Sequence, residues 1–519
     1  MARLTIHQIK DSSDLHALLQ QCAAWRVDPF AHLPLKNSIE HAQKAGCVTV
    51  IKQDPVQDPD YLAEYLAYYA RGFLNIKKEC IRLHFFSAPM KDAEDVLPYL
   101  DRISHESSDA YLGFLTLRPT LTSPVGATIL SCLPSGHFVL CIDEFPVHLA
   151  GCNFSVKGTP FMQQDNAVGA CAQASIWMAL RTLRKKQGHS AFDPAQITTA
   201  ATRFLVQGRT LPNREGLNPN QMVEAVRSAG YASHLHYFRN HNQPFSPDEL
   251  EAARLWLYTY IESEIPVILG LFHSQQSSGH AVVLVGHGWS NAKVANNQLT
   301  TTFPVGTTSF LIHQAVEWVN GFYIHNDNTG PYQWLADKAT GNEFSLEHTV
   351  FALPLLPGDV FLSGEEAVQT SINLYKDVAA DFVANLTQGS PLPESDVVFR
   401  TYLIERHQFR SWALRSNLCS TVKDYYRLKN LPRRVWVTEI NFKADYGDLA
   451  KLSTSRLGEI VLDPTGDGRD SPFLTIHINS AWTKAPDGSG LLIDRDIISQ
   501  KIDVVKIQSD SRYMAYTRN

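Results

Sequence analysis

The sequence has no excess of positive charge. In 519 residues, 46 Lys and Arg stand against 52 Asp and Glu, a formal net charge of −6. That balance excludes a protein that grips nucleic acid through a basic surface. Cysteine is sparse, with eight residues in all and no Cys-x-x-Cys pair. A disulfide framework, a zinc ribbon and a thioredoxin-type redox pair are thereby excluded. Long apolar runs are missing too. The strongest, IPVILGLF (265–272) and AVVLV (281–285), fall far short of the roughly 20 residues that span a bilayer. The opening MARLTIHQIKDSSD lacks the apolar centre of a signal peptide. These absences set the expectation of a cytoplasmic chain with neither nucleic acid nor membrane as partner; they leave the oligomeric state open. There is no low-complexity tract and no repeat at a period of about 20–50 residues.

What is present is the composition of a folded chain, 44% hydrophobic and 19% charged. At roughly 150 residues per domain, the length suggests about three units. The first, 1–150, alternates element types. DYLAEYLAYYARGFL (60–74) and DAEDVLPYLDRISHE (92–106) have helical spacing. IRLHFF (81–86), YLGFLTLRP (111–119), GATILSCLP (126–134) and HFVLCIDEF (137–145) read as strands. Arg118 at a strand end fits a structural ion pair. The second unit, 151–355, opens on the Gly-containing GCNFSVKGTPF (151–161). The third, 356–519, is a C-terminal α/β region expected to pack on the core. It has a helix over 366–386 and then strands at 397–404, 433–442, 458–465 and 473–478.

Chemistry concentrates in the middle unit. In QQDNAVGACAQASIWMALR (163–181), Cys171 follows Gly169-Ala170 where a helix begins. Unpaired N–H groups and the positive end of the helix dipole favour thiolate there, the condition for a nucleophile. Gln164 upstream carries an amide able to donate to a developing oxyanion. In HAVVLVGHG (280–288), His280 follows Gly279 and opens an apolar strand, which fixes an imidazole better than a loop does. His287, at the far end and on the opposite face by period-2 counting, reads as structural. In GFYIHNDNTGPY (321–332), a strand runs into Asn326, Asp327 and a Gly-Pro turn. A carboxylate at Asp327 suits the orientation of His280 and the stabilisation of its imidazolium.

With these residues in this order, the middle third resembles the papain-like cysteine peptidases, in particular the bacterial branch that includes double-glycine peptidases. The resemblance rests on Gln164, Cys171, Gly279-His280 and Asp327 before Gly330, and on the helix-like GLNPNQMVEAVRSAGY (216–231) leading to a Tyr. It implies an α+β fold in which a Cys-bearing helix packs on an antiparallel sheet bearing His and Asp. It implies a cysteine hydrolase acting on protein or peptide through a thioester, with no cofactor and no metal. Acyl transfer, deamidation or transglutamination by the same triad, and a non-catalytic scaffold, are the alternatives. The sequence departs from the family in three places. Gln164 stands seven residues before Cys171 where six is usual, Ala172 replaces a common Gly, and Asn326 competes with Asp327 as the His orienter. The long segment 289–315 reads as a lid or substrate-binding insertion.

One further pair stands out. His234 and His236, spaced i,i+2 on a strand-like segment, share a face in the way a metal requires. With no Cys or carboxylate near them in sequence, they read as packing or surface residues.

Overall fold

The computed structural model describes residues 3–22, 28, 31–73, 75–92, 94–120, 122–132, 137–165, 171–204, 216–238, 244–273, 279–294, 299–341, 343–385, 395–418, 420–452, 455–466, 471–478, 482–484 and 491–492. Helices and three mainly antiparallel sheets make a mixed α+β architecture. A seven-stranded N-terminal sheet runs in the order Arg3–Gln8, Thr49–Val56, Cys80–Phe86, Tyr111–Leu117, Val125–Ser131, Cys152–Phe161, Asp143–Leu149. The central sheet orders His236–Tyr237, Thr349–Leu356, Val267–Leu271, His280–Gly288, Phe322–Asn326 and Gly330–Leu335. The third sheet begins with Thr301–Val305 and Thr308–Gln314, then continues through Asp396–Glu405, Arg434–Phe442, Arg456–Leu462 and Phe473–Ile478.

The strand His280–Gly288 is buried along its whole length, which explains why its apolar run is continuous instead of alternating. The helix Cys171–Gln187 packs on it. A second helix, Pro247–Glu262, touches both this strand and Asp396–Glu405, and so lies between the central and C-terminal sheets. Its start is fixed by a capping box in which the Ser246 side chain accepts from the Glu249 N–H. One continuous apolar core includes Leu115 of the N-terminal sheet, Val283 of the central sheet and Trp436 of the C-terminal sheet. Among the described residues no helix is long and apolar enough to cross a membrane.

Three sequence expectations are corrected. The break expected between residues 150 and 151 falls inside a hairpin, because Asp143–Leu149 pairs with Cys152–Phe161 and Leu149 faces Cys152. Ala150 and Gly151 both have positive φ (50° and 91°), the conformation of a tight hairpin turn, so the glycine marks a turn and not a boundary. The single strand expected over 137–145 is two. His137–Val139 joins the central sheet and Asp143–Leu149 the N-terminal one. The first approaches so closely that a Cβ on Gly286 would lie 2.4 Å from the Phe138 carbonyl oxygen. Finally, the segment expected as a lid supplies a hairpin to the C-terminal sheet, where Thr308–Gln314 pairs in parallel with Asp396–Glu405.

Candidate active site

Cys171 is the first residue of its helix, as the sequence implies; Gly169-Ala170 lie outside the described residues. The helix delivers the thiol to the start of the central strand, where the Ala281 N–H donates to Cys171 Sγ at 3.2 Å. The thiol therefore sits beside the residue that follows His280. The imidazole is buried, with 7% of its surface exposed. It is covered on one face by Phe344, whose ring stacks at 5.5 Å. Phe344 has no signal in the sequence, since it arrives from a loop ahead of the strand Thr349–Leu356.

The structure separates the two candidate orienters. His280 Nε2 lies 2.9 Å from Asn326 Oδ1, whereas Asp327 Oδ1 is 3.6 Å away, beyond hydrogen-bond reach. The expectation that Asp327 holds the ring is corrected to Asn326 on geometry. The reason is local. The Asn328 N–H also donates to Asn326 Oδ1 at 3.0 Å, an Asx turn that fixes the amide at the strand end. Because that oxygen accepts from a backbone N–H, Nε2 of His280 must carry the proton it donates. In the neutral imidazole the lone pair is then on Nδ1.

Asp327 is fully buried, and among the described residues neither carboxylate oxygen has a hydrogen-bond partner in another side chain. Burial pushes its carboxyl up to about 7. Burial also lowers the basicity of His280, opposed by the hydrogen bond to Asn326. The thiol runs against the expectation from its helix start. Burial, followed by the nearby Asp327, pushes Cys171 up to about 12, although the N–H groups of Ala281, Ala172 and Cys171 itself act to lower it. The helix-start effect is present with the expected sign, and desolvation outweighs it.

Gln164 reaches the same loop from the other side, its Nε2 donating to Asn328 Oδ1 at 3.3 Å. The N-terminal region holds it there. Arg118, buried, donates from Nη2 to the Gln163 carbonyl at 2.9 Å and from Nη1 to Glu64 at 3.3 Å. Tyr69 hydrogen-bonds Asp165. Asn37 donates to the Thr329 carbonyl at 2.6 Å, tying an N-terminal helix to the loop that follows Asn326. Arg118 is thus the structural ion pair expected of it, with the further effect of anchoring the approach to Gln164.

His287 behaves as a structural residue. It is fully buried, and its Nε2 bonds Glu262 at 2.8 Å. The register shifts between Leu284 and Gly286, so the contact with Glu262, and not the period-2 count, defines its surroundings. The capped helix Pro219–Ser228 and the buried Tyr231 follow the 216–231 expectation.

No protein-family profile matches the chain, and no curated protein does. A solved structure it is similar to is the peptidase domain of Streptococcus ComA, a bifunctional ABC transporter involved in a quorum-sensing pathway. The identity is 15%, over 38% of this chain and 96% of that one, with a TM-score of 0.21. That likeness is too slight to transfer an activity.

Proposed function

We propose that the chain is a cysteine hydrolase with a papain-like core, a peptidase acting on peptide or isopeptide bonds. The observation that carries this reading is the juxtaposition at the strand start. Cys171 Sγ accepts from the Ala281 N–H at 3.2 Å, while the preceding residue, His280, is oriented through Nε2 by Asn326. With Nε2 engaged, proton exchange with the thiol falls to Nδ1. Cys171 Sγ attacks the acyl carbon as its proton passes to His280, which returns it to the departing amine. Water then resolves the thioester with His280 as base. The Cys171 N–H and the Gln164 amide are the donors for the oxyanion, so Gln164 must exchange Asn328 for substrate. Because burial keeps the resting thiol protonated, substrate binding has to drive the proton transfer.

The test is a mass-spectrometric assay on a peptide library with parent protein and Cys171→Ala. Backbone cleavage by the parent and none by the variant supports the reading. A +1 Da product identifies a deamidase, and a cross-link identifies an acyl transferase. Equal activity of both proteins overturns the role of Cys171.

A further inference from the structure

The i,i+2 histidine pair, which lacks a third ligand in its own neighbourhood of the sequence, acquires one in the fold. His234 and His236 lie at the outer edge of the central sheet, where His236 pairs with Ala352 of the strand Thr349–Leu356. Glu365, 131 residues beyond His234, is carried there by the first turn of the helix Gly364–Asn385. His234 Nε2 is 3.2 Å from Glu365 Oε1. One nitrogen of each imidazole and one carboxylate oxygen all lie within 4.8 Å of one another. An ion bound at about 2.0–2.1 Å needs tetrahedral edges of about 3.3 Å, so the widest separation, at most 4.8 Å, has to close by up to about 1.5 Å. All three side chains are partly exposed, which leaves an entry path and room for water as a fourth ligand.

The surroundings are those of a supported site. Tyr260 donates from its hydroxyl to Glu365 Oε2 at 3.2 Å and accepts from the Gly364 N–H at 3.1 Å. That contact orients the carboxylate from behind, as outer groups do around bound metals. Trp256 stacks against both imidazoles, at 5.9 Å from His234 and 5.1 Å from His236, and limits their rotation.

We infer that His234, His236 and Glu365 form a site for a divalent transition-metal ion of the zinc class, which clasps the edge of the central sheet to the first C-terminal helix. Two imidazoles and one carboxylate match zinc and disfavour magnesium and calcium, which take oxygen ligands. The clasp is independent of the hydrolase reading, since its test reads binding and not turnover.

The experiment is calorimetric titration of Zn2+ into the full chain stripped with chelator, in a Cys171→Ala background so that the thiol takes no ion. One zinc per chain is expected, with a rise in melting temperature and no response to Mg2+ or Ca2+. His236→Ala should weaken binding at least about 100-fold. Glu365→Gln, which keeps shape and the Tyr260 contact, should weaken it about 10-fold to 100-fold with the metal-free melting temperature unchanged. Failure of the parent to bind zinc overturns the site. So does binding that persists undiminished in the His234→Ala/His236→Ala double variant.

Discussion

The two ends of the strand His280–Gly288 place buried histidines in opposite electrostatic settings. At the far end, His287 bonds Glu262, whose other oxygen takes Arg400 at 2.6 Å. Arg400 also bonds Glu439 at 3.0 Å. Glu439 takes Arg456 at 2.7 Å, and Arg456 takes Glu459 at 3.1 Å. Tyr426 and His477 complete the Glu459 end. Each of these three carboxylates meets at least one guanidinium. Burial works against ionisation of Glu262, and Arg400 and His287 outweigh it, holding the carboxyl below its usual range. At the near end, His280 has a neutral amide, and the adjacent Asp327 is buried with neither oxygen hydrogen-bonded to another side chain among the described residues. A buried chain of paired charges specifies how two sheets meet; a buried carboxyl without such a partner beside an imidazole carries no comparable packing role.

The sharpest way to break the comparison is to remove each histidine in turn. His280→Ala should lower turnover by about 10²–10⁴-fold, the usual worth of an acid–base group. His287→Ala should lower the melting temperature and leave activity per folded molecule near the parent's. If both variants lose stability alone, the contrast fails. Arg400→Met takes one guanidinium from two buried carboxylates and should destabilise by about 3–5 kcal/mol in denaturant titrations, again with the reaction intact in the folded fraction.

Asp327 supplies a pH test. Its carboxyl is raised from 3.8 to about 7, so between those values the folded chain holds a proton that the unfolded chain has released. Stability attributable to this group is therefore greatest below about pH 4, falls as pH rises to about 7 and then levels off, by on the order of a few kcal/mol. Asp327→Asn should match the parent at pH 4 and melt progressively higher than it towards pH 7. An advantage that does not change with pH would remove the unpaired carboxyl from the comparison. The smallest effect expected is that of Asn326→Ala, about 10-fold to 100-fold in kcat with little change in KM, because it misdirects a base without deleting it. Steady-state kinetics at the optimum pH would check it.

Legibility in the sequence follows the range of the interaction. Cys171 at a helix start and His280 at a strand start were readable because local periodicity sets both. The choice between Asn326 and Asp327 was not. Adjacent residues at a strand end point in different directions, and the Asx turn to Asn328 decides which one meets the imidazole. The splitting of 137–145 was hidden because HFVLCIDEF has no Gly, Pro or Asn between its halves to mark a change of sheet. Arg118 was readable as an ion pair, but its partner Glu64 lies 54 residues away in sequence, and nothing local names it.

The absence of paired cysteines, of membrane-length runs and of basic excess narrowed the classes of function, and the mix of helix-like and strand-like segments set the expectation of an α+β chain with one distinctive cysteine among eight. Local pattern also placed that cysteine and its histidine on the right elements, since caps, turns and apolar periodicity act over a few residues. Only the tertiary structure decided the remainder. It brought Glu365 to His234 and His236, joined 301–314 to the C-terminal sheet, and buried the Cys171 thiol enough for desolvation to overrule the helix end. Those outcomes depend on distances between residues far apart in the chain and on exclusion of water, and both arise only once the sheets have packed.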